Sequence, residues 1–207
     1  MQLKYSYWYF PSVLSSKLCD EIVAFGEATQ QKKANIGGMP DPILMGKKKL
    51  KDFKKTRDSN IAWINEQWVY NEIIPYVNKA NKEAGWNFEW DWAETCQFTR
   101  YTKNQYYDWH CDSWDEPYKD ITNKNTYGKI RKLSVTVSLS DPKEYKGGGL
   151  EFDFSFHSRK PYIKKCKEIL PKGSVLVFPS HLWHRVAPIT KGERKSLVIW
   201  GIGKPFK

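Results

Sequence analysis

Apolar and polar residues along this chain follow two different periods, and the change from one to the other falls near residue 88. Before that point helical spacing dominates. Leu18, Ile22 and Phe25 recur on one face, which predicts a helix from a cap at Ser15 or Ser16 to about residue 29. Trp68, Ile73, Val77 and Ala80 predict a second helix from a cap at Asn65 to about Ala84, kinked at Pro75 and stopped by Gly85. Tyr5, Tyr7 and Tyr9 alternate with smaller residues, so residues 1–10 read as a strand ended by Pro11, and Ile61-Ala62-Trp63-Ile64 as another. Residues 31–58 hold glycines, prolines and lysines and form a long irregular connection, placed as a flap beside a site entrance.

From Phe88 the period is two. Phe88, Trp90 and Trp92 alternate, and residues 93–101 and 105–110 predict two strands joined by the turn Thr102-Lys103-Asn104. Residues 113–129 are polar and turn-rich, a second long loop. Residues 131–140 alternate cleanly, with Leu133, Val135, Val137 and Leu139 on one face and Ser134, Thr136 and Ser138 on the other. After the tight turn Gly147-Gly148-Gly149, strands follow at 150–155, 173–179, 182–187 and 194–202. The expected architecture is a single domain, 1–207, with a helical and loop-rich part over 1–87 and a β core over 88–207. Two helices followed by about eight short strands predict a mainly β fold with flanking helices, a double-stranded β-helix (jelly roll, cupin-like) in which distant strands meet around a central pocket.

Composition changes this picture little. Ten Trp, twelve Tyr and ten Phe suit strands and a packed core. No apolar run is long enough for a membrane span and the first residues lack a signal-peptide core, so the chain reads as soluble and cytoplasmic or otherwise intracellular. Cys19, Cys96, Cys111 and Cys166 are scattered without a Cys-x-x-Cys pair, which argues for reduced thiols. The net charge of +11 gathers in Lys47–Lys49, Lys51, Lys54, Lys55 and Lys164, Lys165 and Lys167. Such runs form solvated faces; as a functional feature they would draw an acidic partner, nucleic acid included.

The chemistry sits in two short stretches. His110-Cys111-Asp112 places two ligand types at i and i+2, on one face of a strand, with Cys111 turned to the other; His184 follows 72 residues after Asp112 and must come from a distant strand. Two histidines and a carboxylate are the ligand set of a non-haem iron(II) site with open positions. Arg194, ten residues after His184, adds a fixed cation for a carboxylate beside the metal. The Gly147–Gly149 turn lacks the Gly-Lys-Ser/Thr of a phosphate loop.

His110-x-Asp112, then His184-Arg185-Val186-Ala187-Pro188-Ile189-Thr190-x-Gly192-x-Arg194, resembles the iron(II)- and 2-oxoglutarate-dependent dioxygenases, and within them the prolyl 4-hydroxylase-like branch. Arg100-Tyr101, Tyr107, Asp141-Pro142 with Gly147-Gly148-Gly149-Leu150, and Trp200 extend the likeness over residues 94–203. The resemblance implies a jelly roll that binds Fe(II) through His110, Asp112 and His184, and 2-oxoglutarate through Arg194, Tyr101 and Ser134, with Tyr107 and Trp200 lining the substrate groove. It selects His184 over His181; His157, in a polar stretch, and Trp109, which alternates away from His110, keep ordinary structural roles. It further implies consumption of O2 and 2-oxoglutarate, release of succinate and CO2, ascorbate as an auxiliary reductant, and hydroxylation of an unactivated C–H bond, with a proline-containing protein or peptide as substrate. Three other readings remain beside it: the same chemistry on nucleic acid, to which the charge points; the same chemistry on a small molecule; and a non-catalytic jelly-roll binding module.

Overall fold

The computed structural model describes residues 4–34, 56–114, 116–155 and 160–206. Most of the expected flap, with Lys47–Lys55, and His157 lie outside the described residues. The chain opens with β1 (Trp8–Phe10) and α1 (Ser16–Ala28), followed by β2 (Lys32–Lys33), β3 (Arg57–Asp58), β4 (Asn60–Ile64) and α2 (Gln67–Glu83). The remainder is strands: β5 (Trp92–Ala93), β6 (Cys96–Tyr101), β7 (Tyr106–His110), β8 (Ile130–Ser138), β9 (Tyr145–Gly147), β10 (Leu150–Asp153), β11 (Ile163–Lys165), β12 (Val175–Pro179), β13 (His184–Val186), β14 (Ile189–Gly192) and β15 (Arg194–Gly203). Among the described residues, eight strands form the larger sheet in the order β1-β12-β8-β15-β6-β4-β2 with β5 on β15; a smaller sheet runs β11-β10-β13-β7-β3, and β14 pairs with β9. The two larger sheets face one another as a jelly roll.

The larger sheet is buried on both faces, and alternation gives the faces opposite characters. Ala62, Ile64, Phe98, Leu133, Val135, Val137, Val175, Val177, Leu197 and Ile199 pack with the helices into the main core. Gln97, Thr99, Tyr101, Ser134, Thr136, Ser138, Arg194, Ser196 and Trp200, equally buried, alternate with them along β6, β8 and β15. The smaller sheet closes over that polar face through Leu150, Phe152 and Val186, which join Leu176, Phe178 and Ile189 in a second apolar cluster.

Several elements differ from the expectation for physical reasons. Helix α1 is capped as predicted, the Ser15 hydroxyl accepting from the Leu18 N–H at 3.1 Å, but its inward stripe is Cys19, Ile22 and Gly26, which leaves Phe25 at the edge. Gly26 is required there: a Cβ on it would stand 2.5 Å from the Phe98 ring. Asn65 does not cap α2; Glu66 precedes the helix without a side-chain cap, and the Asn65 side-chain oxygen Oδ1 accepts instead from the Tyr70 hydroxyl. Val69 takes the buried position assigned to Trp68, and α2 runs through Pro75 to Glu83, with Ala84 as its C-cap and Gly85 at φ 71° beyond it. The first strand is three residues long, since Tyr5 and Tyr7 lie before it. Phe88 and Trp90 lie outside any strand; Trp90 covers Gly201, where a Cβ would meet its ring at 3.1 Å.

Candidate metal centre

Strands β7 and β13 lie side by side in the smaller sheet with His110 directly opposite His184. Phe152 on β10 pairs with His184 from the other side, and the Phe178 ring meets the His184 ring edge-on at 4.8 Å, so the second imidazole is walled by aromatic packing. Tyr107 stacks on His110 at 3.5 Å and 13°. The strand ends at His110, two residues short of Asp112, so the two ligands do not share one strand as the i, i+2 pattern supposes. Asp112 is therefore held by the turn: its N–H and that of Ser113 both donate to the Ser180 carbonyl, at 2.8 and 3.0 Å. Cys111 does not turn to the far face; it lines the cavity with its thiol donating to the Ser113 carbonyl.

His110, Asp112 and His184 gather their ligand atoms within 4.8 Å of one another. His110 Nε2 is 3.8 Å from Asp112 Oδ1, and His184 Nε2 is 3.6 Å from Asp112 Oδ2. These gaps are too long for hydrogen bonds and within the span of two metal–donor bonds of about 2 Å each. Each ring presents Nδ1 to a backbone carbonyl, His110 to Asp108 at 2.7 Å and His184 to Leu182 at 2.8 Å. With Nδ1–H donating there, both Nε2 lone pairs are free to ligate. Burial and the neighbouring imidazole hold His110 far below its ordinary range, in its neutral form. Burial alone would raise Asp112; the two imidazoles, Arg131 and the Ser134 hydroxyl outweigh it and keep the carboxyl ionised. A neutral His110 and an ionised Asp112 are in the protonation states a divalent ion needs, and His184 adds a second Nε2 donor, so the donor set fits iron(II).

The trio opens on a cavity of about 440 Å³ between the sheets, whose wall includes Tyr101, Tyr107, Trp200 and Arg194. Arg194 is 4 % exposed and lies opposite Tyr101 in the β15–β6 register. Among the described residues no carboxylate pairs with it; its guanidinium donates to the Ser196 hydroxyl at 3.3 Å and faces the Tyr101 ring at 5.7 Å. A buried guanidinium without an anion is costly, and a ligand carboxylate would relieve it. Trp200 Nε1 is likewise a buried donor with no acceptor in the described protein. Ser134, expected in the cosubstrate pocket, instead donates to Asp112 Oδ2 at 2.7 Å; Thr136, two residues along β8, lines the cavity. Trp109 packs on the Arg185 guanidinium and His181 is exposed outside the trio.

Two wall residues have no signal of their own in the sequence, Arg131 and Arg57. Arg131 makes a paired contact with Glu94, Nε to Oε1 at 2.9 Å and an Nη to Oε2 at 2.6 Å, and lies 3.8 Å from the Trp200 ring centre and 4.7 Å from that of Trp114. Arg57 lies over the Tyr107 ring at 4.4 Å. Its pairing partner Tyr107 is the only clue to it, and that pairing spans 50 residues of chain.

The description "2OG-Fe(II) oxygenase superfamily" matches residues 96–201, half of the chain and the stretch that holds all three candidate ligands and Arg194. The chain belongs to that superfamily. A PKHD-type hydroxylase of Shewanella frigidimarina is 35% identical over 148 residues, 71% of this chain and 60% of that protein. A PKHD-type hydroxylase of Alteromonas mediterranea is 34% identical over 104 residues, 50% of this chain and 41% of that protein. The chain thus spans about half the length of the curated relatives it matches. Two solved structures share the fold: a Pseudomonas putida prolyl-4-hydroxylase (TM-score 0.66, 17% identity, 96% of this chain and 93% of that one) and the viral collagen prolyl hydroxylase of Paramecium Bursaria Chlorella virus-1 in its 2OG complex (TM-score 0.64, 19% identity, 97% of both). The superfamily's cofactor chemistry is that of iron(II), 2-oxoglutarate and O2, and the trio described above is where this member can hold the metal.

Proposed function

We propose that the chain is an iron(II)- and 2-oxoglutarate-dependent dioxygenase that hydroxylates a peptidyl proline. The observation that carries the reading is Arg194: a buried cation, without a carboxylate partner among the described residues, on the wall of a cavity that also contains a two-histidine, one-carboxylate trio. His110, Asp112 and His184 hold the metal; Arg194, with the buried Tyr101 opposite it, anchors the distal carboxylate of 2-oxoglutarate. Bound iron(II) and 2-oxoglutarate supply an oxidative decarboxylation, giving succinate and CO2, that is coupled to C–H hydroxylation. The protein's part is orientation and exclusion. Tyr107 and Phe178 fix the imidazoles, and the apolar closure by Leu150, Phe152 and Val186 keeps bulk water from the polar face. The Trp200 indole N–H, without an acceptor among the described residues, offers a hydrogen bond to a substrate carbonyl.

The peptide substrate is supported by the Trichoplax adhaerens prolyl hydroxylase, solved with a hypoxia inducible factor oxygen degradation domain peptide fragment, which shares the fold at TM-score 0.62 and 17% identity over 96% of this chain. A nucleic-acid substrate has its own observation: exposed Lys32, Lys33 and Trp63 stand together on the cavity wall. The chain works as one domain, in which residues 1–87 contribute the helices and the β2–β4 side of the cavity. Its four free cysteines suit a reducing, intracellular compartment, and among the described residues no helix is long and apolar enough to cross a membrane.

The deciding experiment is anaerobic titration with iron(II) and 2-oxoglutarate, read as the visible charge-transfer band of the chelated keto acid. Succinate is then measured on admitting oxygen, with and without a proline-rich peptide. A band with peptide-stimulated succinate is expected. A band whose succinate responds to an oligonucleotide and not to the peptide overturns the prolyl substrate; absence of the band in folded, iron-treated protein overturns the enzyme.

A further inference from the structure

We propose that Ser134 and Ser180 form a hydroxyl relay that aims the Asp112 carboxylate, so that both are positioning residues for metal retention and neither contacts 2-oxoglutarate. The proposal rests on the metal-site reading of His110, Asp112 and His184. Both serines are fully buried and come from neighbouring strands of the larger sheet: Ser134 is in β8, between Phe178 and Trp200 in the sheet register, and Ser180 directly follows β12. Ser134 Oγ lies 2.7 Å from Asp112 Oδ2 and 2.9 Å from Ser180 Oγ. The hydroxyl has one proton, and an ionised carboxylate only accepts. Ser134 therefore donates to Asp112, and Ser180 donates to Ser134.

Ser180 acts a second time through its backbone. Its carbonyl accepts from the N–H groups of Asp112 and Ser113, and its own N–H donates to the Lys132 carbonyl at 3.0 Å. The ligand is thus fixed at both ends, main chain and carboxylate, by one residue and its relay. The relay also distinguishes the two carboxylate oxygens. Oδ2 is committed to Ser134, whereas Oδ1 has no hydrogen-bond partner among the described residues and lies on the His110 side of the trio. Without the relay Asp112 would rotate about its side-chain torsions, and a floppy ligand binds its ion more weakly because the order must then be imposed on binding.

Three variants test this: Ser134→Ala, Ser134→Thr and Ser180→Ala, each compared with wild type for its anaerobic iron(II) dissociation constant, its apparent KM for 2-oxoglutarate at saturating iron, and its melting temperature. Ser134→Ala is expected to weaken iron(II) binding about 10–100-fold, the usual cost of losing a hydrogen bond behind a metal ligand. KM for 2-oxoglutarate should stay within about twofold, since no contact to the cosubstrate is lost. Ser134→Thr, which keeps the hydroxyl, should restore iron affinity. Ser180→Ala, which keeps the backbone clasp, should fall between wild type and Ser134→Ala, and it carries the test if Ser134→Ala does not fold. Unchanged iron affinity with a raised KM would overturn the relay and return Ser134 to the cosubstrate pocket. Equal loss in Ser134→Ala and Ser134→Thr would also overturn it, as that makes the effect one of volume. Wild-type protein that binds no iron(II) would bring down the metal-site reading, and the relay with it; a wild type that binds iron no better than Ser134→Ala or Ser180→Ala brings down the relay alone.

Discussion

The two faces of the larger sheet come from the same strands, the same alternation and nearly the same burial, yet they serve opposite ends. Along β8, Leu133, Val135 and Val137 are fully buried against the helices, while Ser134, Thr136 and Ser138 between them are almost as buried against the smaller sheet. On the helix side Leu133, Val135 and Val137 are close-packed among apolar neighbours, which is where burial stabilises at about 25 cal/mol per Å². On the cavity side the protein keeps hydroxyls and, among the described residues, an indole N–H without an acceptor and a guanidinium without a carboxylate, the last two being arrangements that cost free energy. The contrast teaches that burial alone does not mark a core. What separates the faces is whether the buried groups are satisfied by the protein itself or left for something that binds.

The strongest way to break the comparison is at the metal ligands. Asp112→Ala should abolish iron retention and succinate formation above background while the helix-side core still folds; full succinate production in that variant would remove Asp112 from the ligand set. Arg194→Ala comes next. It should raise the apparent KM for 2-oxoglutarate about 10–100-fold, the scale of a lost charge-assisted pair, and leave melting unchanged or improved because an unpaired buried cation is gone. An unchanged KM would place the carboxylate anchor elsewhere. On the other face, Gly26→Ala should destabilise by about 1–3 kcal/mol in chemical denaturation, because the new methyl would meet the Phe98 ring at 2.5–2.8 Å, and should leave KM unmoved.

The alternation of residues 131–140 is legible because each face keeps one chemistry, and the His110, Asp112 and His184 trio because three candidate ligands of two types at fixed spacings leave few alternatives. Other features depended on pairings that no local pattern encodes. Arg131 is in phase with Leu133, which would place it on the helix side; it lines the cavity instead, next to where the β8–β15 register shifts between Gly201 and Ile202. Ser134 could be assigned to a face but not to a partner, because its contact with Asp112 depends on how β8 and the turn at Ser180 meet. Strands β9, β11 and β14 are three or four residues long and rich in charge, too short to show a period. The stripe of α1 was misjudged by one residue because Phe25 outweighs Gly26 in hydrophobicity, whereas the packing needed the residue with no side chain above Phe98.

The smallest expected effect separates the faces most sharply, since it uses neighbouring residues and the same change in shape. Val135→Thr and Thr136→Val exchange one methyl for one hydroxyl in opposite directions, one residue apart and on opposite faces of β8. Val135 is fully buried in the helix-side core, so a hydroxyl there has to find a bond among aliphatic neighbours or remain unsatisfied, at a cost of about 1–3 kcal/mol. Thr136 lines the cavity, where its hydroxyl does not hold the core together, so Thr136→Val should change stability by less than about 1 kcal/mol in either direction. Denaturant unfolding of both variants checks the asymmetry. If Thr136→Val costs as much as Val135→Thr, its hydroxyl is part of the protein's own bonding, and the cavity face is held together as tightly as the core behind it.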